Sequence, residues 1–270
     1  MKLSKLIEKI EKFAPLSLAE TWDNVGLLVG DGEQEITNAV ICLDVTDNAY
    51  QLCIENNAQV CICHHPYLFE ATKRMDFADL YYQLLRKFIQ ANIAIYAAHT
   101  NLDACVGGVN DAISNKLNLD IVSTFMPSEN PFDFQKDIVP GVGRICITKE
   151  ETSLFGLYKN IMDKLQTSGC HVNFDSNRTI KKILVIGGSY NSTWNIDVLD
   201  NNIDLVISGE IKHKDMVYFD RFGVATIAAG HDATERVILP AFADYLNLNV
   251  EGITFYVYNS FDYTQLTKDF

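Results

Sequence analysis

Apolar residues recur along this chain in two rhythms. Leu3, Leu6, Ile7, Ile10 and Phe13 fall at helical intervals, so residues 2–13 predict an amphipathic helix, ended by Pro15. A polar turn, Thr21-Trp22-Asp23-Asn24, leads into an apolar run to Gly30 that predicts a strand. Residues 38–45 predict a second strand and 47–56 a helix. Residues 58–63 form a continuous apolar run of strand length, stopped by His64, His65 and Pro66. The spacing of Phe77, Leu80, Tyr81, Leu84, Leu85, Phe88 and Ile89 predicts a helix over 76–91. Residues 93–98 predict another strand, and a helix follows Gly107-Gly108 to about Leu117. This β-α-β-α-β-α order predicts a largely parallel sheet with helices on its faces.

Pro127, Pro131 and Pro140 interrupt the periodicity over 124–140, which is read as a link. Strand 142–148, helix 151–167 and strand 170–175 are expected next. The pattern then restarts: strand 181–187 before Gly188, helix near 193–201, strand 203–207 before Ser208-Gly209-Glu210, helix 213–221 and strand 223–229. A helix from His231 to about 246 and a strand over 252–258 follow. The expected fold class is α/β: two similar lobes with mainly parallel sheets flanked by helices and a metal cleft between them. The first lobe is placed at 1–126, the second at 127–258 and a tail at 259–270, with the C-terminal helix placed to pack back on the first lobe. The run Ile93-Ala-Ile-Tyr-Ala-Ala-His99 matches Val224-Ala-Thr-Ile-Ala-Ala-Gly-His231 in character. Each histidine is followed four residues later by a carboxylate, Asp103 and Glu235, which suggests a duplicated unit.

Composition narrows the setting. Hydrophobic residues make up 48% of 270, and charged residues 21%, as in soluble globular proteins. No apolar stretch reaches the roughly 18–20 residues of a membrane span, and the N-terminus lacks the apolar core of a signal peptide. Seven cysteines, an odd number set mostly in apolar runs, are expected as buried reduced thiols of a cytoplasmic protein. A net charge of −13 without a Lys/Arg cluster disfavours nucleic acid and anionic membranes as partners.

Two adjacent histidines at a strand end point different ways and can each face a different ion of a pair. Candidate ligands for such a site are His64, His65, Asp103, His231 and Glu235, all following strands. Glu235, with two oxygens, is assigned the bridge; His64 and His231 are assigned to one ion, His65 and Asp103 to the other. The bland alternative, hydrogen-bonded histidines without metal, is weakened by four histidines and two carboxylates at strand ends. Cys63 beside the histidines is set aside, because Cys61-x-Cys63 lacks zinc-site spacing. His99 is assigned proton transfer or support of the ligands, Glu210 proton shuttling. Asp44, Lys212 and His213 are assigned to substrate; a hydrogen-bonding role for Asp44 and an exposed position for His213 stay open. His171 is read as structural, and Trp22 as packing in preference to a stacking platform. The ligand set fits two divalent ions drawn from Zn, Mn, Fe, Co or Ni, and the imidazoles disfavour calcium.

Trp22-Asp-Asn-x-Gly-Leu, His64-His-Pro, His99-Thr-Asn-Leu-Asp103, Ser208-Gly-Glu210 and Gly230-His-x-x-x-Glu235-Arg, in this order, resemble the Nif-three-like dinuclear metal-centre family. Members are often called homologues of the type-2 GTP cyclohydrolase I. The resemblance covers about residues 1–258. It implies two α/β lobes, a two-metal cleft and a homohexamer, a toroid built as a trimer of dimers. The family's metal ligands fall on His64, His65, Asp103, His231 and Glu235. Longer relatives carry an inserted domain, for which 124–175 is too short. The activity implied is metal-dependent hydrolysis of a nucleotide or similar small molecule. If GTP is the substrate, guanine opens at C8, formate leaves and dihydroneopterin triphosphate forms. Lys212, Lys214, Arg74 and Arg236 are the cations considered for its phosphates; no Gly-rich phosphate loop with a lysine is present, and Gly187-Gly188 reads equally as a tight turn. Phosphoester hydrolysis is the enzymatic alternative. A regulatory or scaffold protein with structural ions is the alternative of another class.

Overall fold

The computed structural model describes residues 1–128, 138–167, 169–173 and 177–259. Most of the expected link and nearly all of the expected tail lie outside the described residues. The chain divides into two compact units, Met1–Cys105 with Leu239–Ser260, and Val106–Ile238.

The first unit opens with α1 (Leu3–Phe13), whose Leu3, Leu6 and Ile10 are fully buried at the helical spacing read from the sequence. Strands β1 (Gly26–Val29) and β2 (Asn38–Cys42) follow, then α2 (Asp47–Glu55), capped by Thr46, whose side chain accepts from the Ala49 amide. Next come β3 (Val60–Cys63), α3 (Leu80–Gln90), β4 (Ala94–Ala97) and the short helix α4 (Thr100–Ala104). Helix α3 starts four residues later than its apolar spacing predicts. The Asp76 side chain accepts from the Ala78 amide, holding a turn, and Asp79 accepts from the Tyr81 amide as the true cap.

The second unit contains α5 (Val109–Lys116), β5 (Leu119–Pro127), β6 (Gly141–Ser153), α6 (Leu154–Lys164), β7 (His171–Val172) and β8 (Thr179–Ser189). It continues with α7 (Asn195–Asp200), β9 (Leu205–Glu210), α8 (His213–Arg221), β10 (Ala225–Ala228) and α9 (His231–Glu235). Helix α10 (Ile238–Asn249) and strand β11 (Thr254–Tyr258) complete the chain. The single helix expected over 231–246 is two helices. Pro240 has no N–H to give to the carbonyl of Arg236, so the ladder is interrupted there and restarts.

Among the described residues the first unit carries a five-stranded sheet, ordered β1-β4-β3-β2-β11. Its inner pairs and β11–β2 are parallel, and only β1 is antiparallel. Strands β3 and β4 are buried throughout, which is why they read as unbroken apolar runs. Leu85 and Phe88 of α3 pack with Val40, Cys61 and Ile95, each such side chain contributing about 2 kcal/mol by burial. Strand β11 pairs with β2, and residues 239–260 belong to the first unit.

The second unit carries a six-stranded sheet, ordered β5-β6-β8-β9-β10-β7. Here β8, β9 and β10 run parallel, whereas β5–β6, β6–β8 and β10–β7 are antiparallel, so this sheet is mixed and not mainly parallel. The division falls at 105/106 and not at the expected 126/127. The physical reason is β5: residues 119–127 hydrogen-bond to β6 and so belong to the second sheet, a long-range pairing with no local sign. Inside this unit Arg144 is fully buried and its guanidinium lies 2.7 Å from Asp111 of α5. It also donates to the carbonyls of Gly141 and Gly143.

A buried pair of this kind is costly to break from one side, since the surviving charge keeps its desolvation penalty. Asp111→Ala is therefore expected to destabilise the second unit by about 3–5 kcal/mol. Urea unfolding followed by Trp194 emission, in a Trp22→Phe background, tests this; a loss under about 1 kcal/mol would refute the assignment of the pair as a structural anchor.

Candidate metal centre

In the first unit three strand ends converge. His64 directly follows β3, and its amide donates to the carbonyls of Cys42 and Leu43 at the end of β2. Its Nδ1 lies 2.8 Å from the Ala98 carbonyl, which follows β4. A carbonyl only accepts, so Nδ1 carries the proton and the acceptor lone pair sits on Nε2. That Nε2 is 3.6 Å from Asp103 Oδ1, with the His64 side chain fully buried. His65 is oriented in the same way by Asp44, whose Oδ1 is 2.9 Å from its Nδ1. Asp44, considered above for substrate, is thus the hydrogen-bonding partner of His65.

His99 precedes α4 and is held by the third such contact, Nδ1 to Asp23 Oδ1 at 2.9 Å. The other Asp23 oxygen accepts from the Thr100 amide at 3.1 Å and hydroxyl at 2.5 Å. Buried Asn101 anchors the helix start: its Oδ1 accepts from the His99 amide and its Nδ2 donates to the Ala14 carbonyl. One ligand atom from each of His64, His65 and His99 lies within 4.8 Å of the others. His99 therefore belongs to the histidine cluster itself, closer in than the supporting role read from sequence. Asp23, which the sequence places in a turn and in the Trp22-Asp-Asn motif, is thus the partner of His99. Burial alone pushes its carboxyl up, but hydrogen bonds from His99 and Thr100 and the His99 charge outweigh this and hold it down at about 2.

In the second unit His231 and Glu235 open and close α9, so four-residue spacing places them on one face. His231 Nε2 is 3.1 Å from Glu235 Oε1, and its Nδ1 faces Glu210 Oε2 at 3.6 Å. Glu210 is steadied by the Ser189 hydroxyl, which donates to it. The α9 turn presses closely on the strand ends. A Cβ on Gly188 would come within 2.2 Å of Glu235 Oε1, one on Gly187 within 2.6 Å of Val109, and one on Gly209 within 2.8 Å of the His231 Cα. Gly188 also needs its φ of +61°, so this glycine is the floor under the Glu235 carboxylate. The glycine pair was legible as a turn, but its purpose is close approach.

Lys212 and His213 are exposed at the start of α8, and among the described residues neither is joined to the site by a hydrogen bond or ion pair. Arg236 is spent within the second unit, on Asp232 and the carbonyls of Leu165 and Gln166. Cys63 is buried, donates to the Tyr96 carbonyl and has its thiol pushed up to about 12 by burial, so it offers no thiolate. His171 pairs through β7 with β10, in line with a structural role.

The Asp23 carboxyl is depressed in the folded chain relative to its ordinary 3.8. Its contribution to stability is complete above about pH 4 and is lost as pH falls toward about 2. Asp23→Asn is expected to cost on the order of 2 kcal/mol at pH 5, the gap to the parent closing toward pH 2. Denaturant midpoints measured at both pH values check this; a gap that stays constant would refute the carboxylate's role in holding His99.

The Duf34/NIF3 (NGG1p interacting factor 3) family profile matches residues 1–262. A Clostridium acetobutylicum protein named GTP cyclohydrolase 1 type 2 homolog is 31% identical over 87% of this chain and 85% of its own length. A Methanocaldococcus jannaschii protein of the same name is 30% identical over 93% of this chain and 97% of its own. Among solved structures, the Staphylococcus aureus protein SA1388 superposes with a TM-score of 0.87 at 26% identity, covering 96% of this chain and 97% of that one. Reduced HcgD from Methanocaldococcus jannaschii superposes at 0.77 with 27% identity, covering 95% and 97%. With the motif series, the two sheets and the histidine cluster on the page, the chain belongs to the Duf34/NIF3 family.

Proposed function

We propose that this protein is a dinuclear metal-dependent hydrolase acting on a nucleotide or related small molecule, with GTP the first substrate to test. One observation carries the reading. His64, His65 and His99 each have Nδ1 hydrogen-bonded to an oxygen acceptor, namely Ala98, Asp44 and Asp23, and His231 Nδ1 faces Glu210 at 3.6 Å. Each imidazole thereby offers Nε2 outward, the arrangement in which metal-binding histidines are held. The neighbouring carboxylates Asp103 and Glu235 complete an N/O donor set suited to Zn, Mn, Fe, Co or Ni.

The proposed ligands are His64, His65, Asp103, His231 and Glu235, which would hold two divalent ions, the two oxygens of Glu235 suiting it to be shared. Such ions lower the pKa of bound water and so supply a nucleophile near neutral pH. The chain's own groups then have distinct tasks. Asp44 fixes the orientation of His65. Asp23 holds His99 with Nε2 available, so His99 is the group best placed to accept and return a proton. Buried Cys42, Cys53, Cys61 and Cys63 support a reducing, cytoplasmic setting. Among the described residues no helix is long and apolar enough to cross a membrane. The assembly proposed is a homohexamer, which light scattering on the purified chain would establish or exclude.

Protein reloaded separately with Mn, Fe, Zn and Co should release formate and a pterin from GTP, and Glu235→Ala should lower that rate at least 100-fold, an effect of about 2.7 kcal/mol. Phosphate release without formate would redirect the reading to phosphoester hydrolysis. Bound metal with neither product from any nucleoside triphosphate would favour the regulatory or scaffold role. Gly188→Ala should mimic Glu235→Ala in metal content, because its methyl displaces the carboxylate. Full metal occupancy in both variants, read by elemental analysis, would remove Glu235 from the ligand set.

A further inference from the structure

The first unit exposes aromatic rings beside its histidine cluster. Trp22 is 59% exposed and Phe69 48% exposed, although both are large and apolar. Their ring centroids are 6.0 Å apart, and they lie edge-on to His99 at 6.3 and 6.5 Å. Trp22 is therefore not the packing residue expected from the sequence. Phe69 also lines a cavity of about 590 Å³ together with Tyr67, Lys73, Arg74, Tyr81 and Tyr82. That volume lies within the range of small-molecule sites.

The cavity wall is braced. Tyr67 and Tyr81 stack with centroids 4.4 Å apart and planes within 4°, and each hydroxyl donates to the other's backbone carbonyl. The Asn24 amide donates to the Leu68 carbonyl, tying this loop to the turn that carries Trp22. Lys73 and Arg74 place two cations in its lining, within a chain of net charge −13. Among the described residues neither Lys73 nor Arg74 forms an ion pair. Asp76 and Asp79 accept from the Ala78 and Tyr81 amides and keep their negative charge, which Tyr67 feels from Asp79. Glu70 is the acidic residue in the lining, and it limits how many negative charges the cavity accepts.

We propose that Trp22, Phe69 and this cavity form one subsite for a phosphorylated planar heterocycle, the ring meeting the two aromatics near His99 and the phosphates meeting Lys73 and Arg74. This rests on the hydrolase reading only for the direction in which the ring points; the binding itself needs no metal. Aromatic faces recognise nucleobases at about 1–3 kcal/mol per ring, and cations recognise phosphate. The geometry separates the two contributions, so they are separable in experiment.

The test is calorimetric titration of the full chain in EDTA with GTP, ATP, CTP, UTP, guanosine and inorganic tripolyphosphate. At least one nucleoside triphosphate should bind. Lys73→Ala with Arg74→Ala should weaken it tenfold or more and leave guanosine unchanged. Trp22→Ala or Phe69→Leu should weaken both nucleotide and guanosine and leave tripolyphosphate unchanged. Circular dichroism and light scattering on each variant control for folding and assembly. No binding by any of the four triphosphates overturns the proposal, as does binding that both sets of variants leave within twofold. An altered assembly state in Trp22→Ala with nucleotide binding intact would likewise overturn it and make these aromatics a protein contact. Because metal is absent throughout, failure of metal-dependent turnover leaves this result standing.

Discussion

Imidazole orientation is the constraint on which the rest of the site depends. A histidine at a strand end is useful to a metal only if one nitrogen is tied down and the other is presented. Here that is achieved by parallel β2, β3 and β4 ending together, so that the Ala98 carbonyl and Asp44 reach the Nδ1 atoms of His64 and His65. Asp23 does the same for His99 from a turn far away in sequence. The first sheet thus has two tasks: it buries an apolar core and it sets hydrogen-bond acceptors at fixed heights.

The second unit meets the same requirement by different means. Its His231 and Glu235 are on a five-residue helix, too short to be stable alone, which is pressed onto strands β8 and β9. Gly188 and Gly209 allow that pressure, because side chains there would collide with the helix or its carboxylate, while Gly187 makes room for Val109 of α5. Thr234 secures it by accepting from the Gly188 amide and donating its hydroxyl proton to the His231 carbonyl. The placement of His231 and Glu235 in this unit is a consequence of backbone packing and not of side-chain networks alone.

Aromatic exposure beside His99 sets the first unit apart in a second respect. Trp22 and Phe69 stay exposed as a contacting pair, and the Asn24 amide and the stacked tyrosines brace the loop that carries Phe69. The arrangement places exposed aromatic rings next to His99.

Sequence alone determined the amphipathic helices, the buried parallel strands and the histidine and carboxylate positions, because these are written in local periodicity and in residue type at strand ends. Leu3, Leu6 and Ile10 announce α1, and the run into His64 announces β3. The partners were not legible: Asp23 lies 76 residues from His99, and Asp44 lies 21 from His65. No local rhythm encodes such contacts. The mixed second sheet and the unit boundary were hidden for the same reason, since β5 is defined by its hydrogen bonds to β6 and not by a pattern of its own. Only the tertiary structure decided which nitrogen of each imidazole carries its proton, because that follows from the acceptor the fold brings to it.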